Sequence, residues 1–155
     1  MIGLDTNVLV RYIAQDDAIQ SQTATDFIER LSERDPGFIS VVAMTETAWM
    51  LERAYRLSTA EVAKAIERTL QADALVVESE QEVFTAMIAL KDGRGSFADA
   101  LIGALGAKAG CSVTVTFDRR ALRLRASIVL ATPPVAPPPL DLGHRCGRAC
   151  RWRGR

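Results

Sequence analysis

Four carboxylates stand at similar places along the chain. Asp5 follows the apolar start Met1-Ile2-Gly3-Leu4, and Asp118 follows the β-branched run 112–117. Glu46 lies near the start of an apolar helical segment, and Asp99 stands three after Ser96 in a Ser-x-x-Asp pattern. Singly, each has an ordinary explanation: Asp5 and Asp118 as helix N-caps, Glu46 as an acid favoured by the helix dipole, Asp99 as half of a capping box. Together they suggest other chemistry. In a parallel α/β sheet, the segments leaving the strands' carboxyl ends lie along one edge, where such folds bind ligands. Four carboxylates meeting there repel one another and raise one another's pKa values, a cost that a divalent cation removes. An all-oxygen set without nearby Cys or His suits Mg²⁺ or Mn²⁺ rather than Zn²⁺, with Thr6 and Asn7 beside it to orient the ligands.

Other catalytic chemistries lack their residues. The single histidine, His144, lies near the end of the chain, so a Ser-His-Asp or Cys-His mechanism has no base within the body. No Gly-rich loop of the P-loop or dinucleotide-binding type is present. A metal-activated water is the nucleophile that remains. An aspartyl-nucleophile phosphatase is a competing reading, but such enzymes usually show Asp-x-Asp, and here the triplet is Asp5-Thr6-Asn7. His144-x-Cys146-x₃-Cys150 offers only three ligands and is a weak metal motif.

Elements able to position these residues follow from hydrophobic periodicity and punctuation. Strands are expected at 1–4, 38–40, 75–77, 112–117 and 128–130, with 112–117 buried. Helices are expected at 7–14, 18–34, 43–55, 58–71, 80–90 and 96–110. Asp35-Pro36-Gly37 ends the second helix, Ser58-Thr59-Ala60-Glu61 opens the fourth with a capping box, and Gly110 stops the last. Short strands separated by helices imply a parallel α/β sheet with crossover helices. Five of the six prolines fall within 132–139, and 143–155 is rich in Arg, Gly and Cys. The chain therefore divides into a domain over 1–131 and an extended, disordered tail over 132–155.

Composition is that of a soluble globular protein, with 48% hydrophobic and 25% charged residues in 155. No apolar run is long enough to cross a bilayer, the start lacks a secretory signal, and three cysteines make no disulfide framework, so a cytoplasmic location is expected. The net charge of zero conceals a division. Residues 1–118 hold 10 Lys+Arg against 18 Asp+Glu, a charge of −8, and residues 119–155 hold 9 Arg against one Asp, a charge of +8. An acidic body argues against a broad basic face for nucleic acid. An anionic partner needs local Arg residues or bound cations, and Arg11 and Arg119 are candidates, although Arg11 reads more simply as a solvated helix residue.

Four ordered segments carry a resemblance: IGLDTNVLVRY from Ile2, TETAWMLE from Thr45, SFADALI from Ser96 and TVTFDR from Thr114. Together they resemble the PIN domain, and more narrowly the VapC toxins of bacterial toxin–antitoxin modules, from residue 1 to about 124. The resemblance implies a three-layer α/β/α domain with a central parallel sheet of about five strands, and Mg²⁺- or Mn²⁺-dependent endoribonuclease activity on structured RNA such as tRNA or ribosomal RNA. It implies Asp5, Glu46, Asp99 and Asp118 as the catalytic and metal-binding acids, with Thr6, Asn7 and Thr116 as supporting polar residues. It also implies a cognate antitoxin and a homodimer or toxin–antitoxin hetero-oligomer. Trp49, Met50, Leu51, Leu57 and Val62 are candidates to line the antitoxin's groove, although most of them read better as core. Two departures stand out. Ser96 occupies a position where many relatives carry an acid or another polar residue. At the end, relatives finish with a short strand, whereas here either 128–130 supplies that strand or the tail replaces it. A catalytically inactive binding domain is the non-enzymatic alternative.

Overall fold

The computed structural model describes residues 1–124 and 127–130. Twelve elements follow one another: β1 (Ile2–Gly3), α1 (Thr6–Ala14), α2 (Ala18–Ile28), β2 (Gly37–Ile39), α3 (Val41–Arg53), α4 (Thr59–Leu70), β3 (Leu75–Val77), α5 (Glu80–Lys91), α6 (Phe97–Lys108), β4 (Thr114–Thr116), a 3₁₀ turn (Arg119–Arg123) and β5 (Ser127–Val129). The fold is α/β with parallel strands and crossover helices, as the sequence pattern implies. The expected tail at 132–155 lies outside the described residues. No described helix is long and apolar enough to cross a membrane.

Local chemistry explains most helix starts. Asp17 caps α2 by accepting from the N–H groups of Ile19 and Gln20, and the Ser40 hydroxyl accepts from Ala43 N–H at the start of α3. Ser58 and Glu61 close a full capping box on α4, the reciprocal pair that the sequence predicts. Gly110, at φ +90°, follows the end of α6 in the left-handed region that favours glycine.

Helix α2 stops sooner than the periodicity predicts, at Ile28 instead of residue 34. Beyond it, Arg30 and Leu31 bond back three residues to Phe27 and Ile28, and Ser32 and Asp35 form an antiparallel bridge. This tightening turns Leu31 inward onto Gly37. A Cβ on Gly37 would lie 2.9 Å from the methyl ends of both Leu31 and Leu4 and 3.0 Å from that of Leu75, so a larger residue there would make these leucine side chains shift, and glycine lets β2 pass between them as they stand.

The sheet corrects one expectation. Strands β1, β2 and β3 pair in parallel in that order, with Ile2 opposite Gly37 and Phe38 opposite Val76. Strands β4 and β5 also pair in parallel, Val115 opposite Ile128, but among the described residues only with each other. The five described strands are therefore arranged as three plus two, not as one sheet. The strand expected to be buried over 112–117 is consequently short and uncovered, with Val115 at 52% and Phe117 at 68% exposure. A two-stranded ribbon has too little neighbouring structure to bury both its faces. Ser127–Val129 does form a last strand beside β4.

The core lies between the helices and the three-stranded part. Ile39 of β2, Leu51 of α3, and Val83 and Met87 of α5 are fully buried, joined by Leu4, Val62, Leu90 and Phe97. Helix α5 packs against α4 and α6, and α3 packs against α1, α4 and α6. These contacts fix α1, α3 and α6, the three helices that carry Asp5, Glu46 and Asp99 at or near their N-terminal halves.

Candidate active site

Strand β1 delivers Asp5 to the N-cap position of α1, with extended backbone at φ −82° and ψ 155°. Its carboxylate makes no capping hydrogen bond. Instead Asp5 Oδ2 accepts from the Asn7 side-chain amide at 3.2 Å. Helix capping, the simple account of this acid, is therefore not what the side chain does.

Glu46 sits in the second turn of α3, since that helix begins at Val41. A favourable first-turn dipole does not explain it there, because that effect fades within one turn. Glu46 is exposed, and its Oε2 accepts from the hydroxyl of Thr6 at 2.8 Å. Thr6 is buried, so this bond ties the start of α1 to α3 and sets Glu46 next to the residue that follows Asp5.

Asp99 occupies the third position of α6. Ser96 accepts from Asp99 N–H at 3.1 Å and donates its hydroxyl to Asp99 Oδ2 at 2.6 Å. The box is not closed as in α4, because the carboxylate holds the Ser96 hydroxyl and not its backbone N–H. The serine at this position thus orients an acid. Asp118 does act as a cap: its Oδ1 accepts from Arg120 N–H at 2.8 Å. Its own N–H donates to the Thr116 hydroxyl at 3.0 Å, which fixes the turn after β4.

A common pattern emerges. Each of the four acids has one oxygen held by a nearby donor, while the other accepts no hydrogen bond from a described residue. Carboxylates oriented through one oxygen and open at the other are suited to a cation, and the all-oxygen donor set fits a hard divalent ion in kind. Their placement is less compact than the sequence pattern predicts. Thr6 and Asn7 bring Asp5 and Glu46 into one neighbourhood, and Asp99 and Asp118 line one cleft. Among the described residues, no three His, Cys, Asp or Glu side chains are grouped closely enough to hold a metal ion.

The cleft beside Asp99 and Asp118 has a volume of about 430 Å³ and runs between α3, the loop before α6 and the 3₁₀ turn. Four arginines line it: Arg53, Arg94, Arg120 and Arg123. Nothing in the sequence singles these out as contacts for an anion. Arg94 pairs with Asp92 at 3.0 Å, and its buried Nε has no acceptor among the described residues. Arg119, a candidate from the sequence, is exposed but is not among the residues lining the cleft.

Arg11 is engaged elsewhere. Its guanidinium pairs with Asp16, donates to Gln20 Oε1 at 2.8 Å and reaches the Tyr55 hydroxyl, which itself donates to Asp16 at 2.7 Å. Hydrogen bonds from Arg11 and Tyr55 hold the Asp16 carboxyl below the usual carboxylate range. The same bond to Asp16 raises the Tyr55 phenol and the Arg11 guanidinium. Arg11 is thus a clamp across α1, α2 and α3, not the freely solvated residue expected. The five apolar candidates for a partner groove also separate. Leu51 and Val62 are core, Met50 is half-buried, Trp49 is 59% exposed at the arginine cleft, and Leu57 borders a second groove with Tyr12, Ile28 and Leu31.

Comparison with curated proteins finds no match. PIN domains are in general nucleases and typically depend on a divalent metal, Mg²⁺ or Mn²⁺. The family model of the PIN domain matches residues 2–126, a span that takes in all four acids and every described strand but the last. Since the match covers most of its length, the chain belongs to the PIN-domain family.

Proposed function

We propose that the chain is a Mg²⁺- or Mn²⁺-dependent endoribonuclease that cuts phosphodiester bonds in structured RNA, tRNA or ribosomal RNA, as the toxin of a cytoplasmic toxin–antitoxin module. The observation that carries the reading is the set Asp5, Glu46, Asp99 and Asp118, each oriented through one oxygen and, among the described residues, open at the other. These four would hold the ion, with Thr6, Asn7, Ser96 and Thr116 fixing their orientation. Bound there, the ion supplies a Lewis acid for the phosphate and lowers the pKa of a bound water.

The chain's own part is positional and acid–base. A carboxylate among the four accepts the proton of the attacking water. Water oxygen bonds to phosphorus, the bond to the 3′ oxygen breaks, and that oxygen takes up a proton, leaving 5′-phosphate and 3′-hydroxyl ends. With the only histidine at position 144, no imidazole from the matched domain takes part.

The test is cleavage of total RNA by purified full-length protein with and without Mg²⁺. Asp5→Asn is expected to lower the rate at least about 100-fold, since it removes an oriented charge that nothing else replaces. Cleavage by Asp5→Asn at the parent's rate overturns the assignment. The non-enzymatic reading draws on one observation, that no three acids among the described residues are closely grouped. Calorimetry with Mn²⁺ separates the two, because an inactive binding domain gives no saturable heat.

A cognate antitoxin and a homodimer belong to the same proposal. What supports a protein partner is the second groove, about 750 Å³, bordered by Ile13, Ile28, Leu31 and Leu57 between α1, α2 and α4. It has the apolar floor that an amphipathic helix requires.

A further inference from the structure

Helix α3 carries more than Glu46 on its exposed side. Trp49 and Arg53 follow at three and seven residues, the spacing that keeps side chains on one helical face, and all three are exposed. At 1.5 Å of rise per residue they lie about 4.5 and about 10.5 Å along the axis from Glu46. Trp49 and Arg53 also line the arginine cleft, whose other wall bears Asp99 and Asp118. An indole with 59% of its surface in solvent is not a core residue, and it lines the same cleft as two of the four acids.

The charge of the cleft differs from that of its surroundings. Its lining holds four arginines (Arg53, Arg94, Arg120 and Arg123) against three acids (Glu52, Asp99 and Asp118), a balance of +1. Residues 1–124, which include the whole lining, hold 13 Lys+Arg against 18 Asp+Glu, a charge of −5. Positive charge has thus been gathered locally on an acidic body, beside an exposed tryptophan. Guanidinium groups match phosphate oxygens in pairs, and an exposed indole accepts the face of any base.

We infer that this cleft is a single-strand RNA track, in which Trp49 stacks a base next to the cut site while Arg53 and Arg123 hold the phosphates on either side of it. The inference rests on the nuclease reading for its direction, since the strand runs from the acids over Trp49 to Arg53. A base reaches Trp49 only when it is splayed out of a helix, so the substrate is a loop, a bulge or an end and not a continuous duplex.

The experiment uses the full chain carrying Trp152→Phe, which leaves Trp49 as the one tryptophan. Short oligouridylate is titrated in EDTA, so that nothing is cut, and binding is followed by Trp49 emission and by anisotropy of labelled RNA. Saturable quenching of Trp49 is expected, with duplex RNA of equal length competing at least about ten-fold less well. Trp49→Ala, followed by anisotropy, is expected to bind at least about ten-fold more weakly, and Trp49→Phe to recover most of that loss. Arg53→Ala and Arg123→Ala are each expected to lower the slope of log affinity against log salt by about 0.7. Melting curves show that each variant is folded. Unchanged Trp49 emission while anisotropy reports bound RNA overturns the inference, as does equal affinity of folded Trp49→Ala. So does quenching by an acidic peptide but not by RNA, which makes the cleft a protein-docking site. RNA that quenches Trp49 but is never cut with Mg²⁺ leaves this inference standing and removes the nuclease reading, while cut RNA that leaves Trp49 unquenched does the reverse.

Discussion

Thr6 and Ser96 show how single hydroxyl groups can set an acidic site. Each donates to one oxygen of an acid, Glu46 at 2.8 Å and Asp99 at 2.6 Å. Thr6 is buried, so its hydroxyl has no water to turn to, and its direction is fixed by the protein. Thr6→Val keeps the shape of the side chain and removes the donor. It is expected to weaken Mn²⁺ binding about 10- to 100-fold while the protein remains folded, as loss of an orienting partner does at metal sites. Titration calorimetry on parent and variant reads this directly, and equal affinities would show that Glu46 needs no orienting. At this scale the sequence is informative where residue type alone carries the argument. The four acids could be proposed as a set because Asp5 and Asp118 follow expected strands while Glu46 and Asp99 stand near the starts of expected helices beside them. Arg53 and Trp49 could not be assigned to an RNA contact, because their meaning depends on which face of α3 remains uncovered. That is decided by α1, α4 and α6 packing on the other faces.

Among elements, the tie between α1, α2 and α3 is the clearest case of charged groups holding helices together. Arg11 from α1, Asp16 from the α1–α2 connection and Tyr55 just beyond α3 share one network. Asp16 is held below its ordinary value of 3.8, so its contribution to stability is fully present above that pH and is lost as acid protonates it in the folded state. Tyr55 is raised above 10.0, so its contribution is present below that pH and is lost as base ionises it in the folded state. The clamp therefore works between about pH 4 and pH 10. Asp16→Asn is expected to lower the melting midpoint at pH 7, with the difference from the parent shrinking below about pH 4. A difference that persists unchanged in acid would mean that packing, not ionisation, accounts for it. Helix starts are largely legible because caps are local: Ser58-x-x-Glu61 needs no knowledge of the rest of the chain. The end of α2 and the burial of β4 are not. Leu31 leaves the helical pattern to meet Gly37 on the next strand, and strands of two or three residues carry no local record of which strand they pair with.

For the molecule as a whole, the divided sheet matters most. Strands β1, β2 and β3 lie under the core, while among the described residues β4 and β5 bond only to each other and leave Val115, Phe117 and Ile128 exposed. The family match over residues 2–126 spans both parts. The proposed acids are shared between them too: Asp5 and Glu46 belong with the three-stranded part, and Asp118 follows the ribbon. An ion taken up by acids from both parts is then a tie between strands that share no hydrogen bond among the described residues. Any ligand bound only by the folded chain adds stability, about 2.7 kcal/mol at about 100 times its dissociation constant. Saturating Mn²⁺ is expected to raise the melting midpoint and to slow amide exchange in β4 and β5 towards that of β2, and Asp118→Asn is expected to abolish both effects. Exchange in the ribbon that ignores Mn²⁺ would count against a shared site. If the effect is found, one ion is both reagent and staple, and cells poor in that metal would hold a nuclease that is at once idle and easier for proteases to clear.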